Sequence, residues 1–170
     1  RTRHSRAKAI LYPSPDEPMS TTAIPSDRLA RFRAAYALHR EAEGRRVDPT
    51  DLAALPYLDH GPFRREWSVR ARTFEALVHN VVTPLAKGAS LRILDVGAGA
   101  GWLCFRLIRA GHHAIALDWR WDQVDGLGAA QGYRLHLQHR DLFDRVGASF
   151  DALPLSAQAF DVVVFNAAIH

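Results

Sequence analysis

The chain has a single cysteine and a single methionine in 170 residues, so no internal disulfide is available and nothing in its cysteine usage points to an oxidising compartment. Long hydrophobic runs are missing as well. No uninterrupted apolar stretch approaches the roughly 18 residues of a membrane-spanning helix, and no window near the start joins a basic region to the apolar core of a secretory signal. A soluble, cytoplasmic protein with no membrane partner is the expectation. Metal-ligand spacing is lacking too: His112 and His113 are adjacent and point in different directions along a strand, so no metal is assigned. The sequence opens Arg1-Thr2-Arg3 without an initiator methionine and stops at His170 directly after an apolar run, which reads as a piece of a longer protein.

Charge is present but unevenly spread. Residues 1–90 carry fifteen Lys or Arg against ten Asp or Glu, and residues 91–170 carry seven against eight. Beyond the opening Arg1-to-Lys8 segment the basic residues are interleaved with acids, the pattern of a solvated surface. A nucleic-acid partner therefore has no support beyond the net excess.

Three regions follow in chain order. Residues 1–24 carry three prolines and little periodicity, and read as a flexible arm. Residues 25–88 read as a helical extension. Pro25-Ser26-Asp27 offers an N-cap, and Leu29, Phe32, Tyr36 and His39 recur at helical spacing until Gly44. Asp48-Pro49 starts a short second helix to about Leu55. A longer helix is predicted from Arg64 to Val82, with Trp67, Phe74, Leu77, Val78 and Val81 on one side and an end before Pro84.

Residues 89–170 carry the chemistry. Leu91 to Asp95 is an apolar run ending in an acid, followed by Gly97, Ala98, Gly99, Ala100 and Gly101, so a strand runs into a tight loop. Trp102 to Ala110 follows with Leu103, Cys104, Leu107 and Ile108 on a helical stripe, and Gly111 stands where a left-handed cap belongs. On that stripe Cys104 reads as a small core residue. Strand, glycine loop and helix in this order let backbone N–H groups approach a nucleotide-like ligand, and the helix N-terminus favours an anionic group. A dinucleotide loop would place its third glycine at the position of Trp102, where it permits close helix-to-strand packing. The bulky indole there argues against a nicotinamide-dependent oxidoreductase.

His113 to Asp118 is a second predicted strand ending in an acid, 23 residues beyond Asp95. An acid in that place accepts hydrogen bonds from both hydroxyls of a ribose, which suits the two oxygens of a carboxylate. Residues 121–140 read as a broken crossover helix, interrupted by Gly126, Gly128 and Gly132. Phe143 to Phe150 supplies a third strand, and Phe160 to His170 a nearly continuous apolar fourth strand of the kind covered on both faces.

The Asp95-x-Gly97-x-Gly99-x-Gly101 loop resembles the first motif of the class I S-adenosylmethionine-dependent methyltransferases. The resemblance covers Leu91 to His170, about half of the chain. It implies an α/β fold: a Rossmann-like parallel sheet with flanking helices, methyltransferase type, here truncated after the fourth strand. It implies S-adenosyl-L-methionine as cofactor, held by Asp95, Gly97, Ala98, Gly99, Gly101, Trp102 and Asp118. By the same resemblance Trp119 packs on the adenine, while as a loop aromatic it reads equally well as a shield for the core. The turn around Asp151-Ala152-Leu153-Pro154 resembles the adenine-binding turn, but Ser149 stands at the usual acid position, followed by Phe150, with Asp151 two residues late. The fourth strand resembles that of ubiquinone and menaquinone methyltransferases, so Asn166 meets the methionine end and His170 orients the acceptor or takes its proton. In that family the helices ahead of the first strand can shape the acceptor pocket; Trp67, Arg70 and Arg72 read rather as part of a helix docked on the sheet.

The expected function is methyl transfer to a small-molecule acceptor, with no residue assigned to catalysis. Two alternatives stand beside it, a silent methyltransferase-like binding module and, further off, the oxidoreductase. With strands five to seven of the usual seven missing, the isolated chain is expected to bind cofactor weakly or not at all.

Overall fold

A computed structural model describes residues 26–44, 48, 50–137, 142–149 and 153–166 of the chain. They belong to two units, 1–39 and 40–170. Most of helix α1 (Ser26–Ala42) lies in the first, where Phe32 and Tyr36, one turn apart, stack with ring centroids 6.0 Å from each other. The arm expected over 1–24 lies outside the described residues.

The second unit is organised by a parallel four-stranded sheet. Its strands are β1 (Arg92–Val96), β2 (His113–Asp118), β3 (Asp144–Gly147) and β4 (Val162–Phe165), in the spatial order β3-β2-β1-β4. After β3 the chain crosses to the far side of β1, and the order reverses between β1 and β4. In open parallel sheets ligands gather at the carboxyl ends of the strands flanking such a reversal. Successive side chains of β1 serve opposite faces. Ile93 joins the larger core, while Leu94 and Val96 pack with Leu117, Ile115, Val146, Leu155 and Phe160.

Three helices of this unit flank the sheet in sequence, and their ends follow from local chemistry. The predicted helix over 64–82 runs further than expected. It comprises α2 (Arg64–Leu77), a wider π turn over Val78–Val82 and α3 (Thr83–Ala86), and it ends at Lys87 and Gly88, both left-handed. Pro84 does not stop it: it follows directly on the wider π turn, and helical backbone continues through it to Ala86. Trp67, Phe74 and Leu77 pack against the core. Helix α4 (Trp102–Arg109) buries Leu103, Cys104 and Leu107 as predicted, and Trp102 and Phe105 besides. It closes at Gly111 with φ 94°, as the cap reading requires.

The helix expected from Asp48 to Leu55 is only a 3₁₀ turn over Leu52–Ala54. Arg106 of α4 holds it, donating from Nε to the carbonyl of Leu55 at 2.6 Å and from its terminal nitrogen to those of Ala53 and Ala54 at 3.0 and 2.9 Å. The broken helix expected over 121–140 is a 3₁₀ segment, Leu127–His136, whose Tyr133 stacks on Phe105 with centroids 4.4 Å apart. Of the third strand expected from Phe143 to Phe150, Asp144–Gly147 pairs with β2, while Phe143 turns into the core. The fourth strand is covered on one face only: Val162 and Val164 meet the core, and Val163 and Phe165 are 49% and 53% exposed. No helix among the described residues is long and apolar enough to cross a membrane.

Candidate functional site

Strand register brings the candidate residues to one line. Val96 pairs with Leu117 on one side and Phe165 on the other, and Asp118 pairs with Gly147. One step further along each strand, Gly97 therefore lies between Asn166 and Asp118 at the carboxyl edge of the sheet.

The loop after β1 is built from left-handed residues. Gly97, Gly99 and Gly101 have φ of 75°, 54° and 79°, which L side chains rarely adopt, so the alternating glycines are a backbone requirement. The N–H groups of Gly97 and Ala98 both donate to the carbonyl of Leu117, at 2.8 and 3.0 Å, and that of Gly101 to the carbonyl of Ala98 at 2.8 Å. Gly101 is also a point of close approach. A Cβ there would lie 2.5 Å from the buried ring of Phe143.

Asp118, 6% exposed at the end of β2, reaches across to this loop. Its Oδ2 accepts from the Gly99 N–H at 2.8 Å and its Oδ1 from the Arg120 N–H at 2.9 Å. Each carboxylate oxygen has a second lone pair. The residue expected to receive the ribose hydroxyls is thus fixed against the glycine loop with acceptor capacity to spare.

Asp95 is different. It is 2% exposed, its sheet neighbours are Ala116 and Val164, and its Oδ2 meets the Cys104 thiol at 3.9 Å. Burial, then the nearby charge of Asp118, push its carboxyl up to about 7, an effect the thiol partly offsets. Burial and the same carboxylate push the Cys104 thiol up.

The other expected contacts divide into three groups. The indole of Trp102 is 8% exposed and wedged edge-on between Trp67 and Phe74, with centroids 6.2 and 6.0 Å away. Its ring is a packing element, which leaves its backbone, in the first turn of α4, to face a ligand. That wedge stands where a dinucleotide fold has its third glycine, in keeping with the argument against that class. Trp119 and Asn166 are half-buried directly after β2 and β4, and Ser149 is exposed after β3. Phe150, Asp151 and His170 lie outside the described residues. Arg70 stacks on Trp67 at 4.7 Å, and Arg72 reaches Ser68 within its own helix, as expected of a docked helix. His112 accepts from the backbone N–H of Leu91 at 3.3 Å.

A charged cluster escaped the sequence reading. Arg120 pairs with both Asp122 and Asp125, and Asp125 pairs with Arg40 at 2.7 Å. Asp122 accepts from the backbone N–H groups of Val124, Asp125 and Gly126 through one oxygen. Together they shape the loop after Asp118 and bring the Asp125 carbonyl against Gly99, 3.1 Å from where a Cβ would stand. The spacing Arg-x-Asp-x-x-Asp-Gly directly after a strand-ending acid was the available signal for part of it. Arg40, 85 residues from Asp125, left none.

The carboxyl edge of the sheet thus brings together a left-handed glycine loop, a carboxylate with spare acceptor capacity at Asp118 and the N-terminus of α4. Residues 94–170 match the family model described as a methyltransferase domain. That stretch is a little under half of the chain and contains the glycine loop, Asp118 and the last three strands of the sheet. Among solved structures the chain is similar to the 1,6-didemethyltoxoflavin-N1-methyltransferase of Burkholderia thailandensis with bound 1,6-didemethyltoxoflavin and S-adenosylhomocysteine. The two share 23% identity over 87% of this chain and 51% of that one, with a TM-score of 0.44. The chain thus spans about half the length of that protein. No curated protein matches the sequence.

Proposed function

We propose that the protein transfers a methyl group from S-adenosylmethionine to a small-molecule acceptor. The observation that carries this reading is the bond between the Gly99 N–H and Asp118 Oδ2 at 2.8 Å, which fixes a ribose acceptor against a left-handed glycine loop within the family-matched stretch. The residues fit the cofactor. Asp118 takes the ribose hydroxyls, the left-handed backbone of Gly97–Gly101 lets the ligand approach closely, the first turn of α4 receives the carboxylate of the methionine, and Asp95 serves its cationic groups. Trp119 offers a face to the adenine, with Ser149 and Phe150 at its edge and Asn166 at the methionine end.

When bound, the cofactor supplies an electrophilic sulfonium methyl. The contribution of this chain is positioning: holding the reactants in near-attack geometry can supply roughly 7–11 kcal/mol without an acid or base. A small-molecule acceptor is in keeping with the resemblance of Phe160–His170 to the ubiquinone and menaquinone type. The single cysteine is in keeping with a cytoplasmic site of action.

Isothermal titration with S-adenosylhomocysteine tests the reading. In the full-length protein wild type binds, and Asp118→Ala loses roughly 30-fold or more in affinity, as removal of two charge-assisted acceptors requires. A folded protein that gives no heat overturns the enzyme assignment in favour of a silent binding module.

A further inference from the structure

The core behind the glycine loop holds polar groups beside Asp95 that the cofactor reading does not use. Asp95 on β1 meets Cys104 on α4 through the thiol, the one side-chain donor that reaches it among the described residues. Tyr133, on the 3₁₀ segment, is buried in the same core cluster as Cys104. The Tyr133 hydroxyl is fully buried and has no hydrogen-bond partner. The groups that face Asp95 from the elements around it are therefore Asp118 from β2 and Cys104 from α4, with apolar Ala116 and Val164 beside it in the sheet. None of these is a cation. A buried carboxylate with a weak thiol donor and a second carboxylate for a neighbour is undercompensated, and such a group takes a proton or awaits a positive charge.

We propose that Cys104 positions Asp95 for the cationic end of the ligand, and that Asp95 holds a proton in the empty site and releases it to solvent when that cation enters. This rests on the cofactor reading above and adds a proton linkage and a positioning residue to it. The thiol hydrogen bond favours the carboxylate form, so it sets the pH at which the site becomes ready. Asp118, held by two backbone N–H groups, stays in the acceptor role. With Asp95 near neutrality, affinity for a cationic ligand falls toward ten-fold per pH unit as the solution is acidified below about 7.

The test is titration of the full-length protein with S-adenosylhomocysteine, whose α-ammonium is the cation, between pH 5.5 and 8.5 in buffers of different ionisation enthalpy. 5′-Methylthioadenosine, which keeps adenine and ribose but has neither ammonium nor carboxylate, is the neutral probe. The expected result is proton release with the first ligand only. Cys104→Ala moves the fall-off upward by about half to one pH unit, because a hydrogen bond to the charged form is lost. Cys104→Ser, which keeps a donor, restores it and guards against misreading a folding defect. Tight binding with a flat pH profile and no buffer dependence overturns this inference alone, as does an unmoved fall-off in a folded Cys104→Ala protein. No heat from either probe at any pH overturns the cofactor reading and this inference with it.

Discussion

The ends of β1 and β2 carry the same side chain in opposite circumstances. At the end of β2, Asp118 receives two backbone N–H groups and is fixed in place; inside β1, one residue before its end, Asp95 receives only a thiol at 3.9 Å. Both are nearly inaccessible, so depth does not separate them. Compensation does. A carboxylate surrounded by peptide donors is a finished acceptor, whereas one surrounded by methyl groups is a reservoir of unfavourable energy that only a proton or a cation relieves.

The comparison breaks most sharply on the same substitution made twice. Asp95→Asn removes a charge that folding must bury. Its carboxyl titrates near 7 in the folded chain against 3.8 in the open one, so folding takes up a proton between those values. Stability from that group is full below about pH 4, declines as the pH rises and levels off above 7. Asp95→Asn is therefore expected to stabilise the protein at pH 8 by up to about 4 kcal/mol, and by little at pH 4, in denaturant titrations at the two pH values. Asp118→Asn has the opposite sign. An amide there sets its own N–H₂ against a backbone donor, and a loss of about 1–3 kcal/mol is expected in the same titrations. Equal responses at the two sites would erase the distinction.

A smaller effect sharpens the picture of the loop that joins the two strands. Gly101→Ala combines a left-handed backbone with a methyl 2.5 Å from Phe143, and a cost of about 1–2 kcal/mol is expected. In a Phe143→Leu background the steric part diminishes and the backbone part remains, so a double-mutant cycle separates them.

Much of this arrangement was legible in the residues. β2 runs from His113 to Asp118 as read, α4 begins at Trp102 and its left-handed cap falls on Gly111, because glycines and a strand-ending acid are local signals. What was not legible depended on partners far along the chain. The π turn over 78–82 was invisible because Pro84 reads as a stop, whereas helical backbone carries on past the wider turn to Ala86. The 3₁₀ segment 127–136 is held by stacking of Tyr133 on Phe105 rather than by its own propensity. Cys104 was read as a small core residue, which it is; its second role appears only when α4 is laid on β1.

Helix α4 also reaches away from the glycine loop. Its Arg106 gathers the last carbonyls of the Leu52–Leu55 turn around a single guanidinium, a fan of three acceptors that suits a planar fork and exceeds the reach of one ammonium. A turn this short has almost no persistence of its own. Borrowing it from α4 makes the two open and close together, so a segment some forty residues ahead of the glycine loop shares the lifetime of the helix that the loop begins.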